Sequence, residues 1–158
     1  LDLFSNFTHV FLYKNLKKTF GKIERLSSPR AIGRVFQRGS VEVKTLYLFP
    51  FRLLYLSSTD TTDPEHIPQV LFSIPKRQFK KAVDRNLIRR RCKEAYRLNK
   101  QILSALPAES QPTSIAFLYL AKDITTFDVI ETAMKRCLRK LGNTPSGMHN
   151  VKEIDSVS

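Results

Sequence analysis

The stretch Ser114-Ile115-Ala116-Phe117-Leu118-Tyr119-Leu120 is apolar almost throughout, and such a run reads as a central β-strand buried on both faces. A chain of 158 residues with 42% apolar composition can build one domain of ordinary size around it. Upstream, Ile32, Val35 and Phe36, with Pro29 near the start and Gly39 just past the end, predict a short helix from Ser27 or Ser28 to Arg38. Val41 to Leu56 is rich in β-formers and reads as extended structure interrupted or bent at Pro50. Tyr47, Phe49 and Phe51 share one parity there, and two of the three are expected in the core. Ser57 to Pro68 is a polar, acidic loop, and Gln69 to Ile74 a further strand. Thr125-Thr126-Phe127-Asp128 has the form of a capping box. It opens a helix with Ile130, Ala133, Met134, Cys137, Leu138 and Leu141 on one stripe and Gly142 as its stop. The order is helix, strands, helix, strand, helix, which defines an α+β sandwich.

The charge is concentrated. Ten lysines and arginines fall between Lys76 and Arg97, offset only by Asp84 and Glu94, so 22 residues supply +8 of the formal +13. A non-periodic basic approach, with Lys76, Arg77, Lys80 and Lys81, leads into an amphipathic helix for which Asp84 is the expected N-cap. At about 100° per residue, Ile88, Cys92, Ala95, Asn99, Ile102 and Leu106 converge on one face. Asn86, Arg89, Arg90, Lys93, Arg97 and Lys100 gather on the other. A merely solvated face mixes signs so that neighbours one turn apart offset each other, as Glu94 can with Arg90, Arg91 or Arg97. Stacked like charges instead await a polyanion, and the phosphate backbone is the commonest. RNA is favoured over DNA, because this helix belongs to a mixed sheet with spare aromatics, suited to single strands and shape.

Other classes are set aside on their own features. No run approaches the ~18 apolar residues of a spanning helix, so no membrane partner is expected. Leu1 to Thr19 is no secretory signal, since its charged part follows its apolar part. Cys92 and Cys137 are too few and too far apart for a disulfide framework or zinc site, and read as buried, reduced thiols of a cytoplasmic protein. His9, His66 and His149 fall in an extension, a loop and a tail, away from any acidic cluster, so neither catalytic nor metal-binding residues are expected.

The basic segment also has a specific order. Phe72-Ser73-Ile74-Pro75-Lys76-Arg77, then Phe79-Lys80-Lys81-Ala82-Val83-Asp84-Arg85-Asn86, then Ile88-Arg89-Arg90 and Lys93-Glu94-Ala95-Tyr96-Arg97, closely resembles the signature of the protein component of bacterial ribonuclease P. Arg25-Leu26 and Val35-Phe36-Gln37-Arg38-Gly39 resemble that family's first helix, and Ile115 to Ala121 with the last helix resemble its closing elements. The likeness covers about residues 22–142, leaving 1–21 as an N-terminal extension and 143–158 as a disordered tail.

The resemblance implies a two-layer α/β sandwich similar to the second domain of a small-subunit ribosomal protein, with a left-handed crossover around the basic helix. It implies a subunit that binds a catalytic RNA and helps it remove the 5′ leader from precursor transfer RNA, with magnesium held mainly by the RNA. A structural ribosomal-type RNA binder is the alternative. Arg85 and Asn86 match the first two residues of the family's Arg-Asn-Arg motif, while Leu87 stands third and removes a cation that Arg89, Arg90 and Arg91 are placed to replace. Phe36 matches an aromatic of the family's leader cleft, and Ile32 stands where an aromatic is common. The glycine often found before Ala-Val is replaced by Phe79-Lys80-Lys81.

Overall fold

The computed structural model describes residues 19–57, 66–106 and 110–143. Most of the 1–21 extension, the body of the acidic loop and nearly all of the tail lie outside these residues. Among the described residues eight elements follow one another: α1 (Pro29–Val35), β1 (Val43–Leu48), β2 (Phe51–Ser57), β3 (Gln69–Ser73), α2 (Ala82–Asn99), α3 (Gln101–Ser104), β4 (Pro112–Tyr119) and α4 (Phe127–Gly142). The strands form one sheet in the order β1-β2-β4-β3. β1 pairs antiparallel with β2 and β2 antiparallel with β4, whereas β3 and β4 are parallel. Parallel neighbours need a long connection, and α2 with α3 supplies it. β4 is thus an interior strand, as its apolar run requires.

Alternation along the strands divides the core in two. Phe51, Leu53, Tyr55, Val70, Phe72, Ile115, Phe117 and Tyr119 point to one face, where they meet Ile88, Cys92, Ala95 and Tyr96 of α2 and the whole predicted stripe of α4. Phe72 and Phe117 stack there at 5.3 Å between centroids. On the opposite face Leu54, Leu56 and Ala116 pack with Leu26 and with Val35 of α1. Among the described residues one short helix covers that side and leaves its periphery partly open.

Several local expectations are corrected. Pro50 does not bend one strand; Phe49 and Pro50 form the two-residue turn of a hairpin, with Leu48 opposite Phe51 and a cis peptide before Pro50. That removes Phe49 from the strand, so one of the three aromatics, not two, is buried: Phe51 is in the core, Phe49 is exposed, and Tyr47 lies half-buried under the Arg52 guanidinium at 5.3 Å. The expected capping box is out of register. Thr126 is the N-cap of α4 and makes no side-chain cap bond. Thr125 is used elsewhere, its N–H donating to the Tyr119 hydroxyl (3.0 Å) while its Oγ1 lies 2.9 Å from the same oxygen. Gly142 is still helical, and a Cβ there would come within 2.0 Å of Leu106 Cδ2, so it makes room rather than turning the chain. Gly39, with φ of 76°, does occupy the left-handed region that glycine favours.

Thr19, Phe20 and Gly21 belong to the packed body. Phe20 meets Phe72 and Tyr96 edge-on at 5.9 and 5.6 Å. The next residues run beside the outer edge of β3: Val70 N–H donates to the Glu24 carbonyl (2.8 Å) and Leu26 N–H to the Val70 carbonyl (3.0 Å). Glu24 and Lys100 form a buried ion pair at 2.6 Å, and Lys100 also donates to the Thr19 carbonyl at 2.7 Å. The paired charge and the additional bonds offset the desolvation of each ion.

Candidate nucleic-acid interface

The basic approach is a built loop. Gln78 and Phe79 N–H groups both donate to the Pro75 carbonyl, and the Phe79 ring is buried against Tyr119 at 5.7 Å. With Phe79 as anchor, Lys76, Arg77, Lys80 and Lys81 all reach solvent. The helix starts at Ala82 with Lys81 as N-cap in extended conformation and no side-chain cap. Asp84 is therefore not the cap; it sits in the first turn, where its charge favours the positive end of the helix.

Arg85 turns back on the loop, its Nη1 donating to the carbonyls of Phe79 and Lys80, each at 2.7 Å. It ties loop to helix, and among the described residues no carboxylate pairs with its positive charge. Asn86 is exposed and accepts from Arg89 at 3.0 Å. Arg90 is exposed, and Arg97 binds Glu94 through Nε at 2.9 Å and Nη2 at 2.5 Å. Of the three partners open to Glu94, the one three residues on is taken, and that hydrogen bond first, then the opposite charge, holds the Glu94 carboxyl below its ordinary value. Leu87 is 38% exposed on the same helix and contributes no charge.

Two members of the expected faces move. Lys100 leaves the cationic face altogether and is buried with Glu24. The apolar face gains Tyr96, while Asn99 uses its amide on the Ala95 carbonyl (2.8 Å) and on Glu131 of α4 (3.2 Å). Arg91 likewise works inside the fold, donating to the Thr125 carbonyl at 2.6 Å. In their place the fold brings Arg25 to the cationic flank. Its guanidinium lies over the Phe20 ring at 5.6 Å, and that ring abuts Tyr96, one turn along α2 from Lys93. Partial burial, then the charges of Arg25 and Arg89, push the Lys93 amine below its ordinary pKa. The resemblance places Arg25 and Leu26 with the first helix; they precede α1 and run beside β3 instead, and that pairing is what brings Arg25 to this flank.

Ile32 and Phe36 lie on the other layer. Ile32 packs on the small core formed with Leu54, Leu56 and Ala116, and Phe36, the C-cap of α1, is 38% exposed at its rim. The sheet thus separates them from α2, so the two expected contact regions are not one surface. His66 Nε2 lies 3.4 Å from the Thr113 carbonyl. Among the described residues no three of His, Cys, Asp and Glu gather as metal ligands, and no helix is long and apolar enough to cross a membrane.

Fold and surface together define a mixed α+β protein that offers a polyanion a crowded cationic helix and loop beside one sheet. Residues 20–142 match the family model described as Ribonuclease P. Relatives named ribonuclease P protein component include those of two Porphyromonas gingivalis strains, 35% and 36% identical, each alignment covering 81% of this chain and 92% of the relative. Another, from Chlorobaculum tepidum, is 38% identical over 65% of this chain and 66% of its own. The chain belongs to the ribonuclease P protein family. Membership makes it a subunit of a ribonucleoprotein endoribonuclease acting in transfer RNA processing, and the reading as a structural ribosomal protein is not favoured.

Proposed function

We propose that the chain binds the catalytic RNA of ribonuclease P through Lys76, Arg77, Lys80, Lys81, Arg85, Asn86, Arg89, Arg90, Lys93 and Arg97, and assists removal of the 5′ leader from precursor transfer RNA. The observation that carries this is the flank of α2, where Arg25, Arg89 and Lys93 lie together with no carboxylate bonded to them among the described residues, and where burial first and then the two neighbouring charges hold the Lys93 amine below its ordinary pKa. Phosphates relieve that repulsion. On the opposite layer, the half-open rim beside Ile32 and Phe36 is a place for the single-stranded leader, with Phe36 free to meet a base. The chemistry resides in the RNA with its magnesium ions, while the protein screens repulsion between two RNAs and so lowers the magnesium they need to associate. Two free, buried thiols accord with a reducing, cytoplasmic setting.

Reconstitution tests this. Protein alone should leave precursor transfer RNA intact, RNA alone should cleave it only at raised magnesium, and the mixture should cleave at near-physiological magnesium. Changing both Arg89 and Arg90 to Ala should raise the magnesium requirement and reduce the log–log salt slope of RNA binding by about 1.4–1.8. If RNA-free protein cut at the mature 5′ end, and lost that activity on changing one of its acidic residues, the chemistry would belong to the protein.

A further inference from the structure

The pairing directions bring four chain segments to one end of the sheet. β1 ends there and β2 begins, joined by Phe49 and Pro50, and β3 and β4 both end there. The basic loop after β3 and the residues after β4 are therefore neighbours of the hairpin turn. They are fastened together: Leu120 N–H donates to the Pro50 carbonyl at 2.8 Å, and Gln78 Nε2 donates to the Ala121 carbonyl at 3.0 Å. Phe49 is 70% exposed on this rigid mount and Leu120 is 48% exposed. At the same end of the sheet Lys76, Arg77, Lys80, Lys81 and Lys122 reach solvent, with Asp123 as the exposed acid next to Lys122 in sequence.

A two-residue turn has no need of an aromatic, since its geometry favours glycine, asparagine, aspartate or proline. Nor does Phe49 serve the core, which Phe51 fills from the next position but one. Single exposed apolar residues are ordinary, but an aromatic face held still among cations joins the two parts of a single-strand site: a ring on which a base stacks, and charges for the phosphates beside it. We propose that Phe49 is a stacking platform for one unpaired ribonucleotide, with Leu120 flanking the base and Lys76, Arg77, Lys80 and Lys81 holding the adjoining phosphates. An unpaired RNA is the occupant because a base within a duplex has no free face and the surrounding charge excludes basic partners. The proposal rests on the RNA-binding reading above, but not on the leader position at Phe36.

The sequence contains no tryptophan, so Phe49→Trp in the full chain gives a single reporter at the platform. Its emission should be quenched saturably by a ten-nucleotide oligoadenosine, and not by a blunt RNA duplex or by polyphosphate. Phe49→Ala and Phe49→Leu should each weaken oligoadenosine binding roughly 5- to 150-fold while leaving the salt slope unchanged, because the loss is of a ring face and not of charge. Wild-type affinity in either variant, equal quenching by the duplex, or a change in self-association on sedimentation as the main effect of Phe49→Ala would overturn the platform. Binding of the catalytic RNA, measured in parallel, separates the two readings: intact binding there with unaffected Phe49 variants sinks the platform alone, whereas no binding by the wild type sinks both.

Discussion

Arg85 and Lys100 show how one charge type serves different ends a few turns apart. Arg85 uses one guanidinium nitrogen on two loop carbonyls, so Arg85→Lys should retain the charge and lose the fixed planar donor that holds the loop. The expected outcome is an unchanged salt slope, weaker RNA binding, and faster hydrogen exchange at the Gln78 and Phe79 amides, whose bonds to the Pro75 carbonyl close the loop; unchanged exchange would reduce Arg85 to a plain cation. Lys100 is buried with Glu24, and removing one partner strands the other's charge. Glu24→Gln should cost about 3–5 kcal/mol of stability in urea unfolding, and the double change Glu24→Gln with Lys100→Met considerably less. Equal costs for the single and double variants would show that the pair contributes through packing alone. Helical periodicity placed Lys100 among the exposed cations because its angular position is nearly right. What that pattern lacks is the N-terminal segment, whose Glu24 and Thr19 reach it from about 80 residues away in sequence.

The seam between α2 and α4 was the most legible element pairing, since both apolar stripes repeat at helical spacing and every residue predicted on the α4 stripe is buried. Cap positions were not legible. Asp84 and Thr125 carry the right chemistry, but the backbone enters each helix one or more positions away, and Thr125 is claimed by Tyr119. The seam also holds both thiols, and burial pushes Cys92 and Cys137 each up to about 12 from an ordinary 9.0. Below the lower value both states are protonated and the difference is silent. Above it the unfolded chain releases protons that the folded chain retains, so stability should fall with rising pH by up to about 1.4 kcal/mol per pH unit for each thiol. Melting temperature followed between about pH 9 and 11 should drop less steeply in the Cys92→Ala, Cys137→Ala double variant, and parallel curves would contradict this.

Across the whole molecule, element order and the interior position of β4 were readable, because a strand buried on both faces and two amphipathic helices leave few arrangements. The separation of α2 from the Ile32 and Phe36 rim was not, since which side of a sheet a helix covers is decided by strand parity and crossover rather than by any local signal. For the same reason the resemblance sets Arg25 with the first helix and not on the cationic flank. The parallel pairing of β3 with β4 has a further consequence, concerning the order in which the protein becomes able to act. The chain makes its cationic helix before the strand that pairs beside β3, before the Thr125 carbonyl that receives Arg91, and before the helix whose Glu131 receives Asn99. During synthesis, then, the charged segment leaves the ribosome ahead of β4 and α4, still unseated and in the midst of abundant RNA. Only once β4 and α4 have followed does that segment acquire its fixed bearing, so along the chain the charge comes first and its orientation second.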